Sequence, residues 1–293
     1  MTLLQAIILG IVQGLTEFIP ISSTAHLVFA ARFLDLYNGV DATLRAEQTT
    51  ATIAVVQLGT LLAVLIYFAR DIVNITRAFI ADHLRLLSGR ATSGSNRLSH
   101  DAWLGWLVII GSIPVGLVGV LFKKQIEGTF TKNLWVIATM MIVVAILLAI
   151  AELVSKKTRT MENLGVGDAL AVGWAQVLAL IPGSSRSGST IMAGLFAGET
   201  RETAARFSFL LSIPAVAASG LLELKEAIHK LPAGSYGSLA VATIFSGIVG
   251  YASIWFLLRF LRTHSTGVFI GYRLIVGSLI LFCLAAGYIS ATV

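Results

Sequence analysis

Long apolar runs separated by short polar connections set the pattern of this chain. The segments 51–69, 102–122, 134–151, 207–222, 239–258 and 267–288 approach or exceed the ~20 residues that a membrane-spanning helix needs, and they predict six spans. Two other apolar stretches are too short. The first, 3–19, stops at Pro20 and meets Ser22-Ser23-Thr24 before a second apolar piece at 27–33. The other, 169–181, stops at Pro182 and meets a hydroxyl-rich turn before an apolar run to Gly198. Paired half-length helices around a proline turn predict re-entrant hairpins, which survive at membrane depth only where they pack in protein or line a wet cavity.

The two hairpins resemble each other. Placing Pro20 over Pro182 puts Ser22 over Ser184, Ser23 over Ser185, Thr24 over Arg186 and His26 over Gly188, while Gly10 and Gln13 match Gly173 and Gln176 after a one-residue gap. Each hairpin is followed by three spans, so the second copy enters the membrane upside down. The expected fold class is therefore an all-α polytopic membrane protein, a single domain over 1–293 built as an inverted-topology repeat. Repeat 1 covers about 1–155 with its hairpin at 1–34, and repeat 2 about 164–293 with its hairpin at 168–198. The stretch 32–48 is expected to be a polar connection, and 70–101 an extramembrane loop with a small, polar, mobile centre at 88–95.

Composition narrows the class. An apolar content of 56% with only 12% charged residues excludes a soluble globular domain. The net charge of +6 invites a nucleic-acid reading, but the basic residues are dispersed over loops rather than striped with aromatics, so no nucleic-acid partner is expected. They set topology instead. Arg70, Arg77, Arg85, Arg90, Arg97, Lys156, Lys157, Arg159, Arg201, Arg259 and Arg262 fall on one side, against Arg45, Lys123, Lys124, Lys132, Lys225 and Lys230 on the other, which makes the richer side cytoplasmic. Cys283 is the only cysteine, so neither a disulfide framework nor a thiolate metal site is available. The N-terminus lacks the basic start of a cleavable signal peptide and is expected to be retained.

The candidate chemistry sits on the two hairpin turns. Pro182-Gly183-Ser184-Ser185-Arg186-Ser187-Gly188-Ser189-Thr190 combines backbone-exposing glycines, five hydroxyls and one cation with no carboxylate, a composition suited to an anion. The planar fork of Arg186 matches a phosphate bidentately. In the first hairpin Gln13 and Glu17 are four apart and share a helix face, where amide oxygen and carboxylate suit a hard cation such as Mg²⁺ or Ca²⁺; a packing or proton-relay glutamate paired with an arginine is the plainer alternative. Ser23 and His26 add a nucleophile and a base on the same short segment. Arg273, beside Tyr272 in the last span, needs a partner: a headgroup, an internal acid or a phosphate. His83, His100, His229 and His264 are expected in solvated loops, and Glu199, Arg201 and Glu202 as helix caps or solvent-facing groups.

Gln13-Gly-Leu-Thr-Glu17-Phe-Ile-Pro20-Ile-Ser22-Ser23-Thr-Ala-His26 together with Pro182-Gly-Ser-Ser-Arg186-Ser-Gly-Ser-Thr190 resembles the undecaprenyl-pyrophosphate phosphatases of the bacitracin-resistance type. The likeness runs on through Ala205-Arg-Phe207-Ser-Phe-Leu-Leu211 and Tyr272-Arg273. It implies an integral-membrane phosphatase that removes the terminal phosphate of a polyprenyl pyrophosphate and so recycles the lipid carrier of peptidoglycan synthesis. It also implies a multi-pass protein of the bacterial plasma (inner) membrane. Carried over, the active-site residues are Gln13, Glu17, Ser23, His26, Ser185, Arg186, Ser187 and Thr190. Many members have glutamate where this chain has Gln13, which leaves the metal site one charge short, and Ala25 stands in place of a common glycine.

The expected scheme has Glu17, Ser23, His26 and Arg186 as catalytic residues. Ser22, Thr24, Gly183, Ser184, Ser185, Arg186, Ser187, Gly188 and Thr190 hold phosphate, and Glu17 and Gln13 hold a divalent cation. Ser23 with His26 as base, His26 itself, or water remain open as the nucleophile. The cavity is expected to open to the outer (periplasmic) face, with membrane lipids and the polyprenyl substrate as partners and a homodimer as the assembly to test. The rival readings are a secondary transporter or flippase of an anionic polyprenyl lipid, which would use the same inverted hairpins, and a lipid-binding scaffold without chemistry.

Overall fold

The computed structural model describes residues 1–88, 98–122, 133–231 and 233–291. Among these, the regular structure is helical. The order is α1 (Leu3–Phe18), α2 (Ser23–Phe33), α3 (Ala42–Tyr67), α4 (Ala69–Leu87), α5 (His100–Leu121), α6 (Leu134–Val154), α7 (Val166–Val177), α8 (Arg186–Phe196), α9 (Arg201–Lys230), α10 (Tyr236–Leu261) and α11 (Gly267–Ala285). Six of them, α3, α5, α6, α9, α10 and α11, carry segments long and apolar enough to cross a membrane. The remaining helices include the four arms of the two hairpins.

Local chemistry explains the hairpins. At the start of α1 the Thr2 hydroxyl accepts from the Gln5 amide while the Gln5 side chain accepts from the Thr2 amide, a reciprocal cap. The helix ends at Phe18 because Pro20 disfavours a helical residue before it and offers no N–H. Ser22 then takes a left-handed backbone, φ 78°, and α2 starts at Ser23. The second hairpin repeats the device. Helix α7 tightens into a 3₁₀ turn at Leu178–Leu180, Ser185 is left-handed at φ 65°, and α8 starts at Arg186. Each second arm is 11 residues long. The shared backbone event therefore equates Ser22 with Ser185, one residue away from the register obtained by superposing the prolines. In this register Gly10 and Gln13 meet Gly173 and Gln176 without a gap.

The arms pack by close backbone approach. Helix α1 lies on α10 and α7 on α5. A β-carbon at Gly10 would come within 2.3 Å of the Ala242 carbonyl, and one at Gly173 within 2.3 Å of the Gly111 carbonyl, so neither contact admits a side chain. Between the hairpins and the spans sits an aromatic cluster in which Phe18 meets Phe209 edge-on at 5.4 Å, with Phe68 beside it.

The polar connections are more helical than expected. The segment 32–48 is a tight connection only as far as Asp41. Arg45, already inside α3, donates to the Leu36 carbonyl at 2.9 Å and pairs with Asp35. The segment 70–101 contains α4, whose apolar residues recur at helical spacing among arginines. All but Ser88 of the centre at 88–95 lies outside the described residues, as do Arg90, Arg97, Lys123, Lys124 and Lys132. Helix α9 begins six residues before the expected span and runs on to Lys230.

Candidate active site

The two hairpin turns meet. Glu17, in the last turn of α1, is joined to Arg186, the first residue of α8, by a 3.0 Å ion pair between positions 169 residues apart. The other carboxylate oxygen of Glu17 accepts from Gln13 Nε2 at 3.1 Å, and that amide also donates to Thr60 Oγ1 of α3 at 3.3 Å. Gln13 and Glu17 thus share a helix face as their spacing predicts, and the expected alternative of a glutamate paired with an arginine is also present. Both members of the pair are nearly enclosed, with 13% and 7% of the Arg186 and Glu17 side chains exposed. Arg186 Nη1, Gln13 Oε1 and Ser22 Oγ are buried without a partner. One guanidinium nitrogen, one amide oxygen and one hydroxyl are thereby free to take a ligand at the junction.

The hydroxyls of the second turn divide into two groups. The buried Ser184 donates to the carbonyl of Leu178 or Ile181, each 2.5 Å away. Thr190 is bonded to Ser208 of α9 at 2.5 Å and to the Arg186 carbonyl at 2.7 Å. These two are committed to holding the turn. Gly183 is left-handed at φ 91°, and a β-carbon there would stand 2.1 Å from the Ile137 carbonyl of α6. Ser187 and Gly188 are buried, Ser187 lying 3.3 Å from the Ser185 hydroxyl and Gly188 donating its amide to that same hydroxyl. Ser23, Thr24, His26, Ser185 and Arg186 are the expected site residues that retain exposure.

Ser23 Oγ makes no hydrogen bond among the described residues, whereas His26 has both nitrogens engaged. Its Nδ1 lies 2.7 Å from the Ser22 carbonyl, which can only accept, so Nδ1 carries a proton. Nε2 then accepts from the Tyr272 hydroxyl at 2.6 Å in the neutral ring, and the two rings stack at 5.6 Å. Neither nitrogen is bonded to Ser23, so the expected serine–histidine pair is not formed in this arrangement. Tyr272 enters the site unannounced by spacing, because it lies 246 residues away in the chain.

Arg273 is the largest fully buried side chain. Its contacts among the described residues are backbone carbonyls, and the internal acid expected as one possible partner is not among them. Its Nε donates to the Met141 carbonyl at 3.1 Å, Nη1 to Pro20 at 3.3 Å, and Nη2 to Gly183 at 3.0 Å, Ser184 at 3.1 Å and Met140 at 3.3 Å. One guanidinium therefore ties both hairpin turns to α6. An isolated arginine in an apolar helix was the available signal, but carbonyl partners leave no mark in a sequence.

The other end of the molecule departs from expectation. Glu199 is neither a cap nor solvated: it is fully buried with both carboxylate oxygens unpartnered. Burial, reinforced by the nearby Asp168 charge and opposed by Arg159, pushes its pKa up to about 7. Arg159 itself pairs bidentately with Asp168 and donates to the Ala197 carbonyl, joining the bases of α7 and α8. Arg201 pairs with Glu152, and Glu202 with Arg262. His83 is built into α4, accepting from Trp106 Nε1 at 3.1 Å, and His264 stacks on Phe260 at 4.5 Å. A crevice of about 800 Å³ opens here, lined by Asp71, Lys157, Arg201, Glu202, Arg206 and Arg262; none of the expected site residues lines it.

A metal would have an all-oxygen donor set at the junction: the Glu17 carboxylate and the unpartnered Gln13 Oε1. That set fits a hard divalent cation that keeps water and phosphate as further ligands. No group of three or more His, Cys, Asp or Glu able to hold a metal is present among the described residues.

Known proteins resemble this chain over nearly its whole length. A curated undecaprenyl-diphosphatase of Syntrophobacter fumaroxidans is 51% identical over 96% of this chain and 97% of its own length. Those of Mycolicibacterium gilvum and Chlorobium phaeobacteroides are 47% and 49% identical, each over 99% of this chain and their full length. The sequence profile described as bacitracin resistance protein BacA matches residues 6–279, and the chain belongs to that family.

Proposed function

We propose that this protein is an undecaprenyl-pyrophosphate phosphatase of the bacterial inner membrane, releasing inorganic phosphate and undecaprenyl phosphate for reuse as the lipid carrier of peptidoglycan synthesis. The observation that carries the reading is the Glu17–Arg186 pair at the meeting of the two turns, with Arg186 Nη1 buried and unpartnered beside it. A buried arginine with unused donors at the positive end of a helix suits a phosphate. The full-length relatives that bear the enzyme's name support the substrate.

The apolar faces of the spans hold the prenyl tail, and the pyrophosphate enters the junction. There Arg186 leaves Glu17 to take phosphate oxygens in its fork, and the exposed hydroxyls of Thr24 and Ser185 donate to the same group. Glu17 and Gln13 would hold Mg²⁺ or Ca²⁺, which when bound offsets the charge of the pyrophosphate. Ser23 is the preferred nucleophile, being partly exposed and without a competing hydrogen bond among the described residues. Its oxygen attacks the terminal phosphorus while its proton passes to His26 Nε2, the bond from that phosphorus to the bridging oxygen breaks, and undecaprenyl phosphate leaves; water then frees the phosphoryl group from the serine. Attack by His26 Nε2 in place of Ser23 would require the same release of the Tyr272 hydroxyl as service as a base, with the Nδ1–H bond to the Ser22 carbonyl kept in either case.

We also infer that the halves form an inverted repeat. The matching 11-residue second arms, the left-handed serines before them and the glycine contacts of α1 on α10 and α7 on α5 support this. The end bearing Arg70, Arg77, Arg159, Arg201 and Arg262 is assigned to the cytoplasm by its positive charge, so the first hairpin enters from outside.

The test is phosphate release from undecaprenyl pyrophosphate by purified protein in detergent, with and without EDTA, beside Arg186→Ala and Ser23→Ala. Metal-dependent release is expected, lost by at least about 100-fold in both variants. Folded wild type that releases no phosphate would move the reading to the transporter, and Ser23→Ala with unimpaired turnover would return the nucleophile to His26 or water.

A further inference from the structure

We propose that α4 lies in the plane of the membrane and binds anionic phospholipid headgroups through Arg70 and Arg77. The proposal rests on the six spans and not on the reaction. Helix α4 has one packed face. Asp71 pairs with Arg206 at 2.6 Å, the Phe79 ring lies 5.3 Å from Trp106, the Asp82 carboxylate accepts from the Ser99 amide at 2.7 Å, and His83 accepts from Trp106. The segment from Asp71 to His83 is about 18 Å of helix at 1.5 Å per residue. Its partners, however, lie between Ser99 and Trp106, about 10 Å of depth at the start of α5, or at Arg206 in the second turn of α9. A helix whose ion pair, hydrogen bonds and ring contacts to other helices all fall at the first two turns of two spans crosses them rather than running alongside.

The opposite face is apolar and uncovered. Val73, Ile80, Leu84 and Leu87 are 42%, 54%, 61% and 84% exposed, and at 100° per residue they fall in one stripe about 60° wide. Arg70 and Arg77 border that stripe on one side, both exposed and without an acid partner among the described residues. Asn74, beyond them, faces the polar crevice. An apolar stripe edged by free guanidinium groups at the level where spans end fits the headgroup layer, with side chains of the stripe in the acyl boundary and the arginines at the phosphates. The charge selects the lipid: a zwitterionic headgroup carries no net charge, whereas each basic residue near an anionic surface contributes about 1 kcal/mol, or roughly five-fold.

The test uses full-length protein with Cys283→Ser, nitroxide-labelled singly at Leu84→Cys, Ile80→Cys or Asn74→Cys, in nanodiscs. Labels at positions 80 and 84 are expected at the headgroup–acyl boundary, with oxygen collisions exceeding those of a water-soluble relaxant, and the label at 74 in water. Equal water access at all three, or a label at 84 shielded from both relaxants as in a contact with a second copy, overturns the planar assignment. Separately, spin-labelled phosphatidylglycerol is expected to associate with wild type several-fold more than spin-labelled phosphatidylcholine, and Arg70→Gln/Arg77→Gln to bring that ratio at least half-way to one with phosphate release retained. A ratio of one in wild type, or an unchanged ratio in the variant, overturns the headgroup assignment.

Discussion

Replacing Arg273 with methionine removes a group that donates to the carbonyls of both hairpin turns, while nearly keeping its volume. Three of its five acceptors, the carbonyls of Pro20, Gly183 and Ser184, belong to the turns; the other two belong to α6. Orphaning a buried carbonyl costs about 1–3 kcal/mol, so the three turn carbonyls alone amount to at least about 3 kcal/mol against the closed junction. Removing a cation that is buried without a counter-ion offsets some of the loss at α6. A penalty near 3 kcal/mol is roughly a 150-fold fall in the population with Glu17 and Arg186 together, and turnover should fall by about that factor.

Phosphate release and the thermal midpoint, measured on the same preparations, check this. Arg273→Met is expected to lose both turnover and several degrees of stability. Arg273→Lys, whose ammonium has three donors, is expected to recover part of each. A methionine variant within about two-fold of wild-type turnover would refute the assignment. A lysine variant as inactive as methionine but with wild-type stability would mean that the guanidinium acts on the substrate itself.

Gly183→Ala should destabilise by more than about 2 kcal/mol, because the alanine would be left-handed and pressed against the Ile137 carbonyl at 2.1 Å; an unchanged urea or thermal midpoint contradicts this. Glu199 is expected to make stability fall as pH rises. With its native pKa raised to about 7 from 4.5, the native state holds the extra proton, so its contribution is full below about pH 4.5 and lost by about pH 7, on the order of 3 kcal/mol in all. Glu199→Gln should therefore raise the midpoint at pH 8 with little effect at pH 5, and parallel pH curves for the two proteins would count against it. Gln13→Glu adds a second carboxylate beside Glu17 and should lower the Mg²⁺ or Ca²⁺ concentration for half-maximal phosphate release by about ten-fold; an unchanged metal titration would remove position 13 from the metal site.

The spans and hairpins were legible because they rest on local rules: apolar length, proline stops and hydroxyl turns. Helix α4 was not, since its apolar residues are spaced by helical period among charges, and attention to Arg70, Arg77 and Arg85 makes the same stretch look like a loop. That the two turns would come together was legible in the motifs more than what each of their side chains bonds to. Ser184 and Thr190 belong to the same motif as Ser185 and Arg186, yet they hold the turn, each bonding back to a carbonyl three to six residues earlier and Thr190 also to Ser208 of α9, and composition alone does not separate a hydroxyl that bonds back from one left for a ligand. Glu199 was misplaced for a related reason: a carboxylate next to a helix start is usually exposed, and nothing in sequence reports that Gly194 leaves room for its side chain to turn inward. The pairing of His26 with Tyr272 rather than with Ser23 is of the same kind, because the two lie 246 residues apart in the chain.

The Glu17–Arg186 pair gives the junction a further property on the proposed reading. Each partner already neutralises the other, so a phosphate approaching Arg186 must displace Glu17, and the displaced carboxylate would be a buried charge with only the Gln13 amide beside it. That state is costly unless Glu17 gains a cation at the same moment. Substrate and metal are thereby expected to bind with positive coupling, each tightening the other by the same factor, because the exchange of one ion pair for two keeps the buried charge balanced. Metal affinity measured without substrate should then be weak. Measured with a non-hydrolysable pyrophosphate analogue, it should tighten by at least about ten-fold, and Glu17→Gln should abolish the difference. Equal metal affinity with and without the analogue would mean that Glu17 stays on Arg186 throughout, and that the pair positions the turns rather than opening to receive the substrate.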